Sequence, residues 1–499
     1  MSDIDFPTSV SSSLRGVETL FLLASKKALT GGWHRKALPA SIARRADPLV
    51  DEVLSGEGPT ASSLSPEKGG PRRIIVHAMS DTVSRHNTPT RKEEVFTASK
   101  AMGIKKGGLV VTALDSPHHL AAVLNGLGRG LPLFDRGTSK KGRAGKGRPA
   151  ARKPRVAVVA TLVSGKVVRV ESRTRELARA VREAARLVDT PAADLSTSAF
   201  VTEARKLVRG VPRVTVTVIA GRDLVKKKLL GIHAVGGAAR VGPRLLVLDY
   251  RPEGKSQTVC LVGKGVVYDT GGLSLKPTSG MCTMKADMAG AAAVVGAFRV
   301  LAKTGCRHRV VALAPLAENS IGSSSYRPDD ILTLHSGHTV EINNTDAEGR
   351  LLLADAVSLA ARSYSPLAII DAATLTGAQL IATGERHAAV ISNRQELETI
   401  AIEAGRLSGD LVFPLPFCPE FYQSEFESQV ADMKNSVKSR MNAQSSCAAQ
   451  FVYSHIDDID VPWLHIDLAG PAFRGERATG YGVALLTAIV DALPRVLEH

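Results

Sequence analysis

TVCLVGKGVVYDTGGLSLK, residues 258–276, decides how the rest of the chain is read. Its opening six residues form an almost unbroken apolar run, the pattern of a strand buried on both faces, and the run breaks at Gly263-Lys264-Gly265. Runs of the same kind recur at 244–249, 310–315, 367–370 and 462–467. Between and after them, 287–304, 348–363 and 482–497 have the length and spacing of helices. This alternation predicts an α/β domain with a mostly parallel central sheet flanked by helices. Ligands of such sheets bind outside the carboxyl ends of the strands, so the residues just past each run are the ones to inspect.

Toward the N-terminus the pattern is shorter. Apolar runs at 74–76, 109–111 and 156–159, with a helix-like stretch at 116–127, predict a smaller α/β domain over residues 1–170. Residues 173–188 place Leu177, Ala180, Val181, Ala184 and Ala185 on one face with charges opposite, an amphipathic helix that Pro191 prevents from continuing. The expected organisation is therefore an N-terminal domain (1–170), a linker helix (171–188) and a C-terminal catalytic domain (189–499), with no internal repeat.

At 499 residues, 44% hydrophobic and 22% charged, the chain can bury a sizeable core and is far from a disordered composition. Five cysteines without paired spacing read as reduced thiols. No run of about eighteen apolar residues appears, which predicts no membrane span, and the start MSDID lacks the apolar segment of a secretory signal. Both point to the cytoplasm. The net charge of +16 is local in origin: residues 136–155 hold nine Lys/Arg and no acid, and the remainder carries +7. Rich in Gly, Pro and like charges, 136–155 is expected to form an insertion loop of the N-terminal domain.

Three clusters fall at predicted strand ends. The first runs from Lys264 through Asp269 to Lys276, the second is Met284-Lys285-Ala286-Asp287, and the third is Asn344-Thr345-Asp346-Ala347-Glu348-Gly349-Arg350. Taken singly, each residue has a plain structural explanation, as a helix-start acid, a cap or a solvated loop lysine. Taken together they bring four carboxylates, two lysines and an arginine onto converging loops. Four converging carboxylates repel one another and lose hydration, and they stay ionised only around strong positive charge. Two hard divalent cations supply it, and paired metals about 3.5–4 Å apart suit hydrolysis. The Walker spacing and the Cys/His spacings of zinc fingers and single-metal proteases are absent.

The stretches VGKGVVYDTGGLSLK (262–276), MKADMAGAAAV (284–294) and NNTDAEGRLLLADA (343–356) resemble the signature regions of the M17 leucyl aminopeptidases. The YDTGG form resembles the branch of probable aminopeptidase-like members. The likeness covers about 189–499 and is weak over 1–170. It implies an aminopeptidase that removes N-terminal, preferably leucine-like, residues from peptides with a free N-terminus. It further implies two divalent metals per subunit (Zn or Mn, with Mg and Co as alternatives), one held by Lys264, Asp269, Asp287 and Glu348, the other by Asp269, Asp346 and Glu348. Lys276 would be the electrophile that stabilises the oxyanion, and Arg350 would hold a bicarbonate ion acting as general base. Met284, Thr374, Leu375 and Gly377 match positions that contact substrate, and the family assembles as a homo-hexamer.

The competing reading is a nucleic-acid-binding protein that uses 136–155 for phosphate contacts. That run has no interleaved aromatics and no reading helix, so a solubilising loop is the favoured interpretation. A catalytically silent scaffold is disfavoured because every motif position is filled.

Overall fold

The structure is a computed structural model that describes residues 4–64, 70–104, 107–136 and 155–494. Most of the basic run, 137–154, therefore lies outside the described residues. The chain divides into two compact units, Met1–Arg182 with Arg406–Gly409 and Glu183–Gly405 with Asp410–His499. The division falls inside the helix Ser172–Asp189, whose residues Leu177, Ala180, Val181, Ala184 and Ala185 are all buried.

The first unit holds a seven-stranded sheet with Ile4–Asp5, Val156–Leu162, Gly108–Leu114, Thr19–Ser25 and Arg73–Met79 side by side and parallel. Thr60–Leu64 closes one edge antiparallel. Period-two alternation explains its burial on both faces: Leu20 and Leu22 enter one hydrophobic cluster, Phe21 and Leu23 the other. The helix expected at 116–127 is a short 3-10 turn, Pro117–His119, followed by Leu120–Arg129.

The second unit holds a nine-stranded sheet, eight of whose strands run in the order Val412–Pro414, Ala388–Ser392, Trp463–Asp467, Ala368–Ala373, Thr258–Gly263, Arg309–Asn319, Arg244–Tyr250, Val214–Ala220, with Gly265–Asp269 off this path beside Arg309–Asn319. Its centre is parallel, as expected: Thr258–Gly263 pairs in parallel with both Arg309–Asn319 and Ala368–Ala373. Its margins are not. Arg244–Tyr250 runs antiparallel to Arg309–Asn319, and Ala388–Ser392 runs antiparallel to Trp463–Asp467. An apolar run reports burial but carries no direction, so strand polarity was not readable from it.

Three local expectations change. Gly265–Asp269, expected as loop, is a strand paired with the far half of Arg309–Asn319. The helix expected over 287–304 starts at Ala289, with Asp287 closing a 3-10 turn, Met284–Ala286, before it. The last helix is Val483–Ala492 and stops there because Pro494 restricts the residue before it; the 495–497 part of the expected span lies outside the described residues.

Helix Ala289–Thr304 lies on the sheet through a small-residue face. A Cβ on Gly290 would stand 2.0 Å from the Ala372 carbonyl oxygen, and one on Gly263 would stand 2.6 Å from the Gly290 carbonyl oxygen. Backbone meets backbone there, and no side chain can yield. Gly290→Ala should therefore lift the helix start and destabilise the protein by about 1–3 kcal/mol, the usual cost of overpacking. Chemical denaturation of the two proteins reads this directly, and an unchanged midpoint would mean the helix can slide without cost.

Candidate metal centre

Three neighbouring parallel strands end at Gly263, Asn319 and Ala373, and the segments beyond them build one cleft of about 660 Å³. All eleven residues singled out in the sequence line it: Lys264, Asp269, Lys276, Met284, Asp287, Asp346, Glu348, Arg350, Thr374, Leu375 and Gly377.

Lys264 sits in the one-residue break between two strands, its backbone tied to Ala372 (3.1 Å) and Ala291 (2.8 Å). Its ammonium reaches Asp287 Oδ1 at 2.7 Å, Glu348 Oε1 at 2.9 Å and the Thr374 carbonyl at 2.9 Å. Gly349 leaves room beside it: a Cβ there would stand 2.4 Å from Lys264 Cε. Lys276 is the second cation, 2.9 Å from Asp269 Oδ2 and 2.5 Å from Asp346 Oδ1. The turn between Asp269 and Lys276 depends on Gly271 and Gly272 at φ 87° and 64°; a Cβ on Gly271 would meet the Ser274 carbonyl at 2.4 Å.

The charges do not balance. Four acids face two lysines in a buried place, and the carboxyls carry the excess. Burial first, then the neighbouring Asp269, pushes Glu348 up to about 8. Asp287 is raised to about 6, by burial foremost, against the pull of Lys264. Burial works to discharge both lysines, but the surrounding carboxylates outweigh it and hold both above their ordinary value. Arg350 is buried and pushed down to about 10 by desolvation. Its Nη1 donates to the Asn435 carbonyl at 3.0 Å, while its Nε has no hydrogen-bond partner.

Among the described residues, Asp269, Asp346 and Glu348 each offer an oxygen within 4.8 Å of the others, a spacing that can hold a metal ion. Asp287 stands on the Lys264 side, where its Oδ1 accepts from Lys264 and from the Thr374 hydroxyl (2.8 Å) and its buried Oδ2 has no partner. This donor set fits hard divalent cations: only oxygens and an amine converge, with one carboxylate oxygen unspent.

Two residues that the sequence reading passed over hold the acids in place. Asn319 donates from Nδ2 to Asp269 Oδ1 (2.8 Å) and to the Thr345 carbonyl (3.0 Å). Asn435 accepts from the backbone of Asn343 and Asn344 at 3.0 and 3.2 Å and donates to the Asn344 carbonyl at 2.7 Å. The one available signal was Asn319's place, a lone amide ending an apolar run.

Acids gathered where parallel strands end, with lysines between them, make a site that suits hydrolysis assisted by divalent metals. The chain belongs to the cytosol aminopeptidase family, M17, whose catalytic-domain model matches residues 182–487. It is 46% identical over 468 residues to the human protein named probable aminopeptidase NPEPL1, spanning 91% of this chain and 87% of that one. Leucine aminopeptidase 1 of Caenorhabditis elegans is 45% identical over 317 residues, 63% of this chain and 64% of that one. Among solved structures, the leucyl aminopeptidase of Trypanosoma brucei in complex with actinonin superposes with a TM-score of 0.87 at 33% identity, covering 99% of this chain and 96% of that one. The bottromycin maturation enzyme BotP in complex with Mn superposes at 0.77 and 27% identity, covering 96% and 99%.

Asn319→Leu keeps size and removes the donor to Asp269. A hydrogen bond to a charged group contributes about 1.5–3 kcal/mol, so aminopeptidase turnover should fall roughly ten- to a hundredfold while the protein stays folded. Near-normal kcat/KM on a leucyl substrate, beside an unchanged melting curve, would show that Asp269 needs no such support.

Proposed function

We propose that this protein removes N-terminal residues, preferably leucine-like ones, from peptides by two-metal hydrolysis. The observation that carries the reading is the gathering of Asp269, Asp346 and Glu348 within 4.8 Å, with the Lys276 ammonium against two of them. Lys264, Asp269, Asp287 and Glu348 would hold one metal, and Asp269, Asp346 and Glu348 the other. Zn and Mn are the first candidates, and the Mn complex of BotP supports the second. When bound, the metals supply Lewis-acid polarisation of the scissile carbonyl and a nucleophilic water at neutral pH.

The chain's own residues do the rest. The acid cluster favours a substrate that presents a free amine. Lys276 stays charged and faces the oxyanion as it develops. Arg350, buried and short of hydrogen-bond acceptors, holds a small planar oxyanion in its fork, and bicarbonate acting as general base fits that place. Met284 and Leu375 give the cleft an apolar wall beside Leu380 and Phe473, which suits a leucine-like first residue. The substrate backbone runs along Thr374 and Gly377. We place the protein in the cytoplasm as a homo-hexamer. No helix among the described residues is long and apolar enough to cross a membrane.

Metal binding needs Glu348 and Asp287 ionised and Lys264 neutral, whereas in the metal-free protein all three hold protons more tightly than usual. Binding must therefore release protons, and affinity must fall as the pH drops through about 8 and then about 6. Calorimetric titration of the apoprotein with Mn or Zn, in buffers of different ionisation enthalpy, measures the release directly. Proton-neutral binding with pH-independent affinity would remove these residues as ligands.

The two lysines should separate by role. Lys264→Ala and Asp269→Ala should lose metal along with turnover. Lys276→Ala should keep both metals and lose about 10²–10³ in kcat, ~3–4 kcal/mol, with KM less affected. Metal content by plasma spectrometry beside steady-state kinetics tests this. Loss of metal in Lys276→Ala, or a near-normal rate, would refute its assignment as electrophile.

A further inference from the structure

Beneath the turn at 374–377 lies a line of buried polar groups that the reaction as described does not use. His465 and Asp467 are two residues apart on the strand Trp463–Asp467 and so face the same side of the sheet. Asp371, on the neighbouring parallel strand, stands directly opposite His465. All three are 0% exposed. His465 Nδ1 is 2.5 Å from Asp371 Oδ1, and the Trp463 indole N–H donates to Asp371 Oδ2 at 2.7 Å. A carboxylate only accepts, so Nδ1 carries the proton; His465 Nε2 is buried with no hydrogen-bond partner. Burial works to discharge this imidazole, yet Asp371, followed by Asp467, outweighs it and raises its proton affinity.

Asp467 connects this line to the cleft. Its Oδ1 accepts the Leu375 N–H at 3.1 Å and its Oδ2 the Thr376 hydroxyl at 2.7 Å. Thr376 Oγ1 in turn accepts the Gln379 N–H at 3.1 Å and so caps the helix Gly377–Thr383. One residue earlier, Thr374 touches Lys264 through its carbonyl and Asp287 through its hydroxyl. The turn therefore meets the metal side with one residue and the buried line with the next two.

We propose that Asp371, His465 and Asp467 form a positioning ladder that holds the 374–377 turn in the geometry required for substrate and for Lys264. The inference rests on the proposed function for the meaning of that geometry, but not for the existence of the ladder. Replacing buried charges with an apolar face of the same volume is often neutral or stabilising, so packing alone does not call for three ionisable groups here. Asp371 orients the imidazole, and the imidazole stands on the same face of the strand as Asp467, two residues along. Asp467 holds two donors of one turn at once, and those donors, with His465, work against the burial that raises its proton affinity.

The test uses the full-length, metal-loaded protein and the variants Asp371→Asn, His465→Gln, their double and Thr376→Val. Hydrogen exchange is read over 374–377, with the strand 258–263 as internal control, together with metal content and kcat/KM on leucine p-nitroanilide. We expect at least tenfold faster exchange at the turn in each single variant, with the control strand unchanged. We also expect a tenfold or larger fall in kcat/KM, and a double no worse than the worse single, since a ladder broken once is broken. Unchanged exchange at the turn in folded variants overturns the proposal, as does a double whose losses multiply, because independent packing contributions behave that way. Should the buried variants fail to fold, Thr376→Val cuts the last rung at the cleft margin; normal exchange and turnover there overturn it equally. A wild-type protein that cleaves no aminoacyl substrate would refute the proposed function, and the exchange data would still decide the ladder.

Discussion

Four carboxylates brought within reach of one another in a buried cleft are the constraint on which this structure depends. Left to themselves they would separate or take up protons. Here each of the two lysines takes a pair, Lys264 with Asp287 and Glu348, Lys276 with Asp269 and Asp346. The backbone is shaped around those pairs. Glycines at 263 and 265 let the helix start and the Arg309–Asn319 strand close in on the chain on either side of Lys264, and Gly349 clears the volume that its side chain fills. A one-residue break between two strands would be a defect elsewhere; here it aims a lysine at the acids.

The sheet explains how residues from distant parts of the chain reach one place. Parallel neighbours end together, so the segments after Gly263 and Ala373 emerge side by side, and Asn319 at the end of the third strand meets them. The antiparallel margins leave this centre untouched, because none of the acids or cations of the cleft lies on Val214–Ala220, Arg244–Tyr250 or Ala388–Ser392.

That arrangement also accounts for what could be read from the chain beforehand. The chemistry-bearing residues sit in three short stretches, each just past an apolar run, so order along the chain was enough to assemble them. Residues that act from within a run were hidden. Asn319 ends its strand like any polar boundary, Asn435 lies in an irregular segment, and Asp371 and His465 interrupt apolar runs where sequence alone cannot say that they face each other. Gly265–Asp269 read as loop because glycines bracket it, although pairing with Arg309–Asn319 makes it strand. Local pattern carries burial and period; it does not carry partner or direction.

The cleft must also weigh on the fold that holds it. A carboxyl whose folded pKa lies above its unfolded value, as at Glu348 and Asp287, stabilises the protein less as the pH rises from the unfolded value through the folded one. The lysines act in the opposite sense: held above their ordinary value, they contribute stability that is fully present at neutral pH and is lost only in strong alkali. At neutral pH the metal-free cleft is thus a compromise, with two ammonium groups offsetting most of the repulsion and a proton on Glu348 offsetting much of the rest. On the proposed reading, divalent cations replace both, discharging Lys264 and ionising Glu348. The acids that strain the empty fold are then the ones whose ligation would stabilise the loaded one, so metal binding and folding stability are coupled through the same side chains.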